Sequence, residues 1–229
     1  MKFTAIVLSA GKGSRMNIGT HKQYLLLNGR PVITYSLEAF EKSPVDEVIL
    51  VTGQGEEEYC RKEIVEAYGF SKVGKIVAGG KERYHSVFCG LQAVTDTDYV
   101  LIHDGARPFV TEEIIARTME TVRKTNACAV GMHVKDTIKI TDEKDIVKET
   151  PERNNVWMVQ TPQAFSCPLI SHAYEKMLLQ EDAAITDDAM VVEKMCQVPV
   201  TLIEGSYRNI KITTPEDMLI AEAFLNAKQ

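Results

Sequence analysis

At 229 residues, 45% hydrophobic and 25% charged, the chain has the balance of an ordinary globular protein and is long enough to bury a large core. A net charge of -6 and a pI of about 5.5 argue against binding nucleic acid through a broad basic face, so any cations that meet an anion must be few and local. Cys60, Cys89, Cys128, Cys167 and Cys196 show no C-x-x-C spacing, no apolar run approaches the ~18 residues of a membrane span, and no signal-like stretch precedes the first strand; a cytoplasmic protein with reduced thiols and no membrane partner is expected.

Phe3-Thr4-Ala5-Ile6-Val7-Leu8-Ser9 is a nearly continuous apolar run, as a parallel strand covered on both faces requires. It enters a loop of small residues, glycines and cations, Ala10-Gly11-Lys12-Gly13-Ser14-Arg15-Met16, with Lys22 beyond. Gln23 to Leu27 is a short apolar run and Asn28-Gly29-Arg30-Pro31 a turn. Val32, Tyr35, Leu37, Ala39 and Phe40 give a helix one apolar face, and Ser43-Pro44 ends it. Glu47 to Thr52 is a second buried strand, Glu56 to Tyr68 a helix closed by Gly69, and Lys75 to Ala78 a third strand before Gly79-Gly80. Arg83 to Ala93 is helical, Tyr99 to Ile102 is a fourth strand, Thr111 caps a helix reaching about Lys124, and Ala127 to His133 is a fifth strand. Strands that alternate with helices predict an α/β fold, a mostly parallel sheet with helices on both faces. Its glycine-rich and charged loops then line one sheet edge, where open α/β folds bind ligands.

The alternation stops at Val134. Thr137 to Ile140 and Asp145 to Glu149 predict a two-stranded ribbon. An isolated ribbon with polar faces is marginal in water, so it is expected to pack on something else, such as a second subunit. Val156 to Val159 is one more strand, helices follow near Pro168 to Leu179 and Asp187 to Met195, and Val200 to Glu204 is a strand. Thr214, Pro215 and Asp217 form a capping-box start for a last helix. The whole reads as a single domain with a β-arm at about 134–156.

The first loop fails as a dinucleotide fingerprint, because Met16 stands where G-x-G-x-x-G needs its third glycine, and the P-loop spacing is absent. Arg15 and Lys22 beside exposed backbone suit a phosphate clamp; a tight turn with two solvated cations is the alternative. In His103-Asp104-Gly105-Ala106-Arg107-Pro108, Asp104 stands at the carboxyl end of its strand and suits Mg²⁺, which takes one or two carboxylates together with substrate phosphates. By residue chemistry alone, Arg107 reads as structural and His103 as a packed histidine, since no nucleophile lies near for it to serve. Gly79-Gly80-Lys81 before a helix lets a base approach the backbone. Gln160-Thr161-Pro162-Gln163-Ala164-Phe165 is a polar cluster without periodicity, and Lys211, just before a helix start, has a surface lysine as its alternative reading.

S-A-G-K-G-S-R-M, H-K-Q-Y, G-G-K-E-R-Y-H-S-V, H-D-G-A-R-P-F, V-K-D-T-I-K, T-P-E-R-N-N-V-W, Q-T-P-Q-A-F, I-T-D-D-A and N-I-K-I-T-T-P-E-D occur in one order over nearly the whole chain. Taken together they resemble the 2-C-methyl-D-erythritol 4-phosphate cytidylyltransferases of the non-mevalonate isoprenoid pathway. Ribitol-5-phosphate cytidylyltransferase shares several of these elements, and the arm, with Thr137 and with Arg153 before Trp157, distinguishes the two. The resemblance implies a Rossmann-like nucleotidyltransferase, CTP as co-substrate with Mg²⁺, and a homodimer with interlocked arms. It implies catalytic roles for Arg15, Lys22 and Lys211 on the triphosphate and metal binding by Asp104. Ser9, Ala10, Gly11, Gly13, Gly80, Lys81, Ser86 and Gly105 would cradle the nucleotide. Thr137 and Arg153 from a partner's arm, with Thr186 and Arg107, would hold the sugar phosphate. Ser9 and Gly105 depart from the family's usual alanine, and Lys81 from a frequent aspartate. The implied reaction is in-line attack of the substrate phosphate on the α-phosphorus of CTP. The reading of another class is a non-catalytic nucleotide-binding protein; a nicotinamide-dependent oxidoreductase is disfavoured by Met16.

Overall fold

A computed structural model describes residues 1–11, 24–180 and 184–227. Its centre is a seven-stranded sheet of β1 (Phe3–Ser9), β4 (Glu47–Thr52), β5 (Val73–Ala78), β6 (Tyr99–Asp104), β7 (Ala127–His133), β10 (Trp157–Ser166) and β11 (Thr201–Glu204), in the spatial order β11-β7-β10-β6-β1-β4-β5. All are parallel except β10, which runs antiparallel between β6 and β7. Six of the seven strands thus point their carboxyl ends at one edge. From β1 the chain moves outward to β4 and β5, then returns to β6 on the other side of β1. The loops after β1 and β6 therefore diverge and leave a crevice between them, the topological switch point at which such sheets bind ligands.

The central strands β1, β4, β6 and β7 are nearly continuously apolar because both faces are covered. Phe3, Ala5 and Val7 turn to one side and pack with Ile33, Leu37 and Phe40 of α1 (Val32–Lys42) and with Ile114, Ile115 and Met119 of α4 (Glu112–Thr125). On that side Cys60 and Ile64 come from a helix that begins as α2 (Glu57–Tyr59) and continues as a π-helical segment, Cys60–Glu66. On the other side Ile6, Ile49 and Val100 meet Val87 and Leu91 of α3 (Arg83–Ala93), Ile170 and Tyr174 of α5 (Cys167–Leu178), and Val191 and Val192 of α6 (Asp188–Cys196).

Helix ends follow their local chemistry. Thr111 Oγ1 accepts from Ile114 N–H at 3.3 Å, Glu112 and Glu113 fill the first turn of α4, and Arg123 and Lys124 its last, each charge matching the helix dipole. The capping box at Thr214 and Asp217 opens α7 (Pro215–Asn226), as its sequence predicts. Asn28 (φ 48°) and Gly29 (φ 76°) make the tight turn joining β2 (Leu26–Leu27) to β3 (Arg30–Pro31). Positive φ at both central positions is what an Asn-Gly hairpin turn supplies.

Two expectations need correction. The segment Gln160 to Phe165 is not an aperiodic polar cluster; it is the interior of β10, a ten-residue strand rather than a short one ending near Val159. Its polar side chains sit in a strand because tertiary partners satisfy them. A register shift between Val159 and Gln163 displaces Gln160 and Thr161 from the regular ladder. The ribbon is also shorter than predicted: only β8 (Ile140–Thr141) and β9 (Val147–Glu149) pair. The arm is solvent-exposed along its length and leaves Ile138, Ile140, Ile146 and Val147 uncovered.

Candidate active site

Asp104 ends β6 beside Leu8 of β1, and Gly105 N–H donates to Leu8 O at 2.9 Å. Among the described residues, three cations converge on the Asp104 carboxylate. Arg83 Nε donates to Oδ1 at 3.1 Å, Lys211 Nζ to Oδ2 at 2.7 Å, and Arg107 Nε lies 3.9 Å from Oδ2. Burial by itself raises this carboxyl, but Arg83, Lys211 and Arg107 outweigh it and hold it well below the usual carboxylate range. Asp104 is therefore ionised at neutral pH.

Arg83 is anchored from behind. Its Nη1 and Nη2 donate to the two oxygens of Asp188 at 2.9 and 2.8 Å, and Tyr174 OH donates to Asp188 Oδ1 at 2.6 Å. Asp188 begins α6 and is fully buried. A planar guanidinium with two parallel hydrogen bonds is a rigid, charge-assisted grip. Sequence reading did not assign Arg83, Tyr174, Asp188 or Thr161 to the site. Arg83 lies within Gly79-Gly80-Lys81-Glu82-Arg83-Tyr84-His85-Ser86-Val87, but its partner Asp188 is 105 positions away, and no local signal joins them.

His103 is a packed histidine, as expected, fully buried and edge-on to Phe40. Nε2 faces Arg107 O at 3.3 Å, a carbonyl that can only accept, so the neutral ring carries its proton there and Nδ1 accepts from the Thr161 hydroxyl at 3.0 Å, whose Oγ1 in turn accepts from Asp104 N–H at 3.1 Å. Both ring nitrogens are committed to structure. Burial, only partly offset by Asp104, pushes its pKa down to about 3. Folded His103 is then neutral where an unfolded histidine would take up a proton. Its contribution to stability is complete above pH ~6.5 and declines toward pH ~3, by up to a few kcal/mol. Thermal unfolding between pH 7 and 4 should therefore steepen with acid in the native chain and less so in His103→Gln; coincident slopes would remove His103 from this account.

Two cavities lie at the sheet edge that carries Asp104. One, of about 450 Å³, is lined by Ala10, Gly53, Gln54, Glu56, Gly79, Gly80 and Lys81, at the ends of β1, β4 and β5. Its volume is that of a small-molecule site. The glycines are sterically required: a Cβ on Gly79 would stand 2.5 Å from Ala10 Cβ, and one on Gly80 2.4 Å from His85 Cβ. The second cavity, about 260 Å³, is bordered by Arg83, Asp104, Arg107, Thr186, Asp187 and Lys211, with Gln160, Thr161 and Gln163 of β10 among its walls.

The structure thus brings Ala10, Gly80 and Lys81 to one cavity and Asp104, Arg107, Thr186 and Lys211 to the other. Ser86 is buried with its hydroxyl accepting from Gly80 N–H at 3.1 Å, so it shapes the glycine loop from beneath. Ser9 is buried, Gly11 is exposed just beyond β1, and Gly105 packs under β1, where a Cβ would lie 2.2 Å from Ile33 Cδ1. Arg107 Nη1 donates to Asn209 O at 2.8 Å, which ties the segment bearing Lys211 to the loop after β6. Thr137 and Arg153 lie on the exposed arm, with Arg153 Nη1 donating to Lys135 O at 3.0 Å, and neither borders the two cavities. Gly13, Arg15 and Lys22 fall outside the described residues.

Among the described residues no group of three or more His, Cys, Asp and Glu could cage a metal ion. Asp104 offers one carboxylate whose oxygens keep further lone pairs. That donor set fits Mg²⁺ held largely by substrate phosphates and water, not a resident structural metal.

The family model described as 2-C-methyl-D-erythritol 4-phosphate cytidylyltransferase matches residues 3–227. A protein of that name from Lachnoclostridium phytofermentans is 49% identical over 228 residues, covering 100% of this chain and 98% of its own length. Another from Lachnospira eligens is 50% identical over 224 residues, covering 97% and 98%. Among solved structures, a 4-diphosphocytidyl-2C-methyl-D-erythritol synthase from Anaerococcus prevotii superposes with a TM-score of 0.87 at 38% identity, covering 98% of this chain and 96% of that one.

Proposed function

Because the chain belongs to the 2-C-methyl-D-erythritol 4-phosphate cytidylyltransferase family, we propose that its two cavities at this sheet edge divide one reaction, the larger receiving the nucleoside of CTP and the smaller the reacting phosphates. The enzyme transfers the cytidylyl group of CTP to 2-C-methyl-D-erythritol 4-phosphate, giving 4-diphosphocytidyl-2-C-methyl-D-erythritol and pyrophosphate. The observation that carries the division of labour is the convergence of Arg83, Lys211 and Arg107 on Asp104 at the switch point.

A phosphate monoester has a second pKa near 6 and is already a charged nucleophile at pH 7, so attack on the α-phosphorus needs no general base. This agrees with the chemistry of His103, neutral and committed at both nitrogens. What the reaction needs is to bring two anions together and to stabilise charge as pyrophosphate leaves. Lys211, 32% exposed and on a flexible stem, is able to turn from Asp104 to the triphosphate. Arg15 and Lys22, from the segment after β1, would complete the clamp. Backbone around Ala10, Gly80 and Lys81 would read the base. Asp104 would hold Mg²⁺, which when bound neutralises phosphate oxygens.

Thr186 and Arg107 border the reacting cavity and would contact the sugar phosphate. The exposed apolar side chains of the arm support a homodimer in which the partner's arm brings Thr137 and Arg153 to this site. The reading is of a cytoplasmic enzyme acting as one catalytic unit per chain; among the described residues no helix is long and apolar enough to cross a membrane. Arg153→Ala should raise KM for the sugar phosphate about tenfold or more and KM for CTP far less; equal effects in steady-state kinetics would remove the arm from the substrate site. The reading as a whole is tested by pyrophosphate release from CTP with 2-C-methyl-D-erythritol 4-phosphate or D-ribitol 5-phosphate as acceptor. Release with the first is expected. Preference for the second, or CTP binding without release, would overturn it.

A further inference from the structure

Asp104 is the hub of a chain of side chains that crosses the site: Tyr174 to Asp188 to Arg83 to Asp104 to Lys211. The two cations use different oxygens of the hub, Arg83 on Oδ1 and Lys211 on Oδ2. They also differ in freedom. Arg83 has its two terminal nitrogens fixed by Asp188, which is 0% exposed. Lys211 donates to one oxygen from a four-carbon stem and is a point charge that accepts any anion. If Lys211 is to serve a triphosphate it must leave Asp104. That departure would leave a carboxylate whose side chain is only 10% exposed with Arg107 alone, whose Nε at 3.9 Å is beyond hydrogen-bond reach, unless Arg83 stays on it.

From this geometry we propose that Arg83 is a positioning residue: locked by Asp188, it keeps Asp104 compensated and in place, so that Lys211 passes from Asp104 to the triphosphate of the incoming nucleotide. The inference rests on the reading of the cavities as a CTP site and adds to it a resting state, in which Lys211 is parked on Asp104, and a residue that makes the parking reversible. Without Arg83 the hub would retain Lys211 more tightly, and the nucleotide would have to compete for it.

The test uses the paired change Arg83→Gln with Asp188→Asn, which removes one buried charge of each sign and so alters neither the local net charge nor the count of unpaired ions. Binding of CTP and of cytidine is measured by calorimetry in EDTA, so that no metal contributes. The Kd for CTP should rise about tenfold and that for cytidine less than twofold, because only the triphosphate draws on Lys211. In a Lys211→Met background the same pair should change CTP affinity less than twofold. Equal losses for CTP and cytidine, or a loss that persists without Lys211, would mean a merely structural Arg83 and would overturn the proposal. Should the pair fail to fold, Arg83→Lys, which keeps the charge but not the bidentate grip, should show the same pattern at about threefold; no CTP-selective loss there overturns it equally. If the native chain binds cytidine and CTP alike or neither, the reading of the nucleotide site itself fails and takes this proposal with it.

Discussion

Replacing Lys211 with alanine is expected to lower kcat for pyrophosphate release by about 10²–10³, the scale on which single preorganised charge-stabilising groups act. The folded state should be little changed. Lys211 is one of three cations on Asp104, and Arg83 and Arg107 remain when it is removed. Its side chain is partly exposed and its segment is held independently, by Arg107 on Asn209 O and by Ile212 N–H on Ala106 O at 2.8 Å. Melting temperature and turnover should therefore separate: a near-native melt with almost no product. Near-normal turnover would remove Lys211 from the phosphate clamp, and a collapsed melt would mark it as structural. Lys22→Ala, in the stretch outside the described residues, is expected to behave as Lys211→Ala does.

Asp104→Ala should fail in both respects. It leaves Arg107 and Lys211 beside a space with no anion and Arg83 with Asp188 as its one remaining partner among the described residues. Removing one member of a buried ion cluster commonly costs about 3–5 kcal/mol, because the remaining charges stay desolvated and uncompensated. For a chain of this length that is a drop of roughly 10 °C in melting temperature. Activity should fall at least as far as in Lys211→Ala, since the cations lose the group that spaces them and any metal loses its carboxylate. Asp104→Asn keeps the shape and should restore part of the stability but little of the activity. An unchanged melt for the alanine variant would show that the cluster does not hold the site together. Acid should mimic the loss only at low pH. The Asp104 carboxyl titrates below its ordinary 3.8, so its stabilising contribution is complete above about 3.8 and is lost as the pH falls from there through the folded value, beginning only at the acid end of the window in which His103 acts.

Much of the sheet was legible because its causes are local. The apolar runs at Phe3–Ser9, Glu47–Thr52 and Ala127–His133 announce strands covered on both faces, and the caps at Thr111 and Thr214 announce helix starts within four residues. The place of Asp104 at the carboxyl end of a strand was legible because it ends an apolar run of a parallel sheet. The long strand β10 was not legible, because its interior breaks the apolar pattern. Gln163 is buried and passes for a loop residue until its tertiary partners are seen: Asp187 Oδ2 accepts from it at 3.0 Å, and Ala189 N–H donates to it at 2.8 Å.

The amino-acid sequence by itself determined the alternating architecture, the edge at which the chemistry sits and, through ordered motifs along nearly the whole chain, the family. Those depend on hydrophobic periodicity, turn residues and spacing, all written along the chain. Only the tertiary structure decided which cations meet Asp104. Lys211 lies 107 positions from it, and Arg83 reaches both Asp104 and Asp188 only because α3 and α6 pack on the same face of the sheet. Ion pairing at that sequence distance depends on where folding places the elements. The exposed arm carries the same lesson in reverse: its composition predicted a ribbon, but how far the ribbon pairs is set by what it packs against, and in one chain that is solvent.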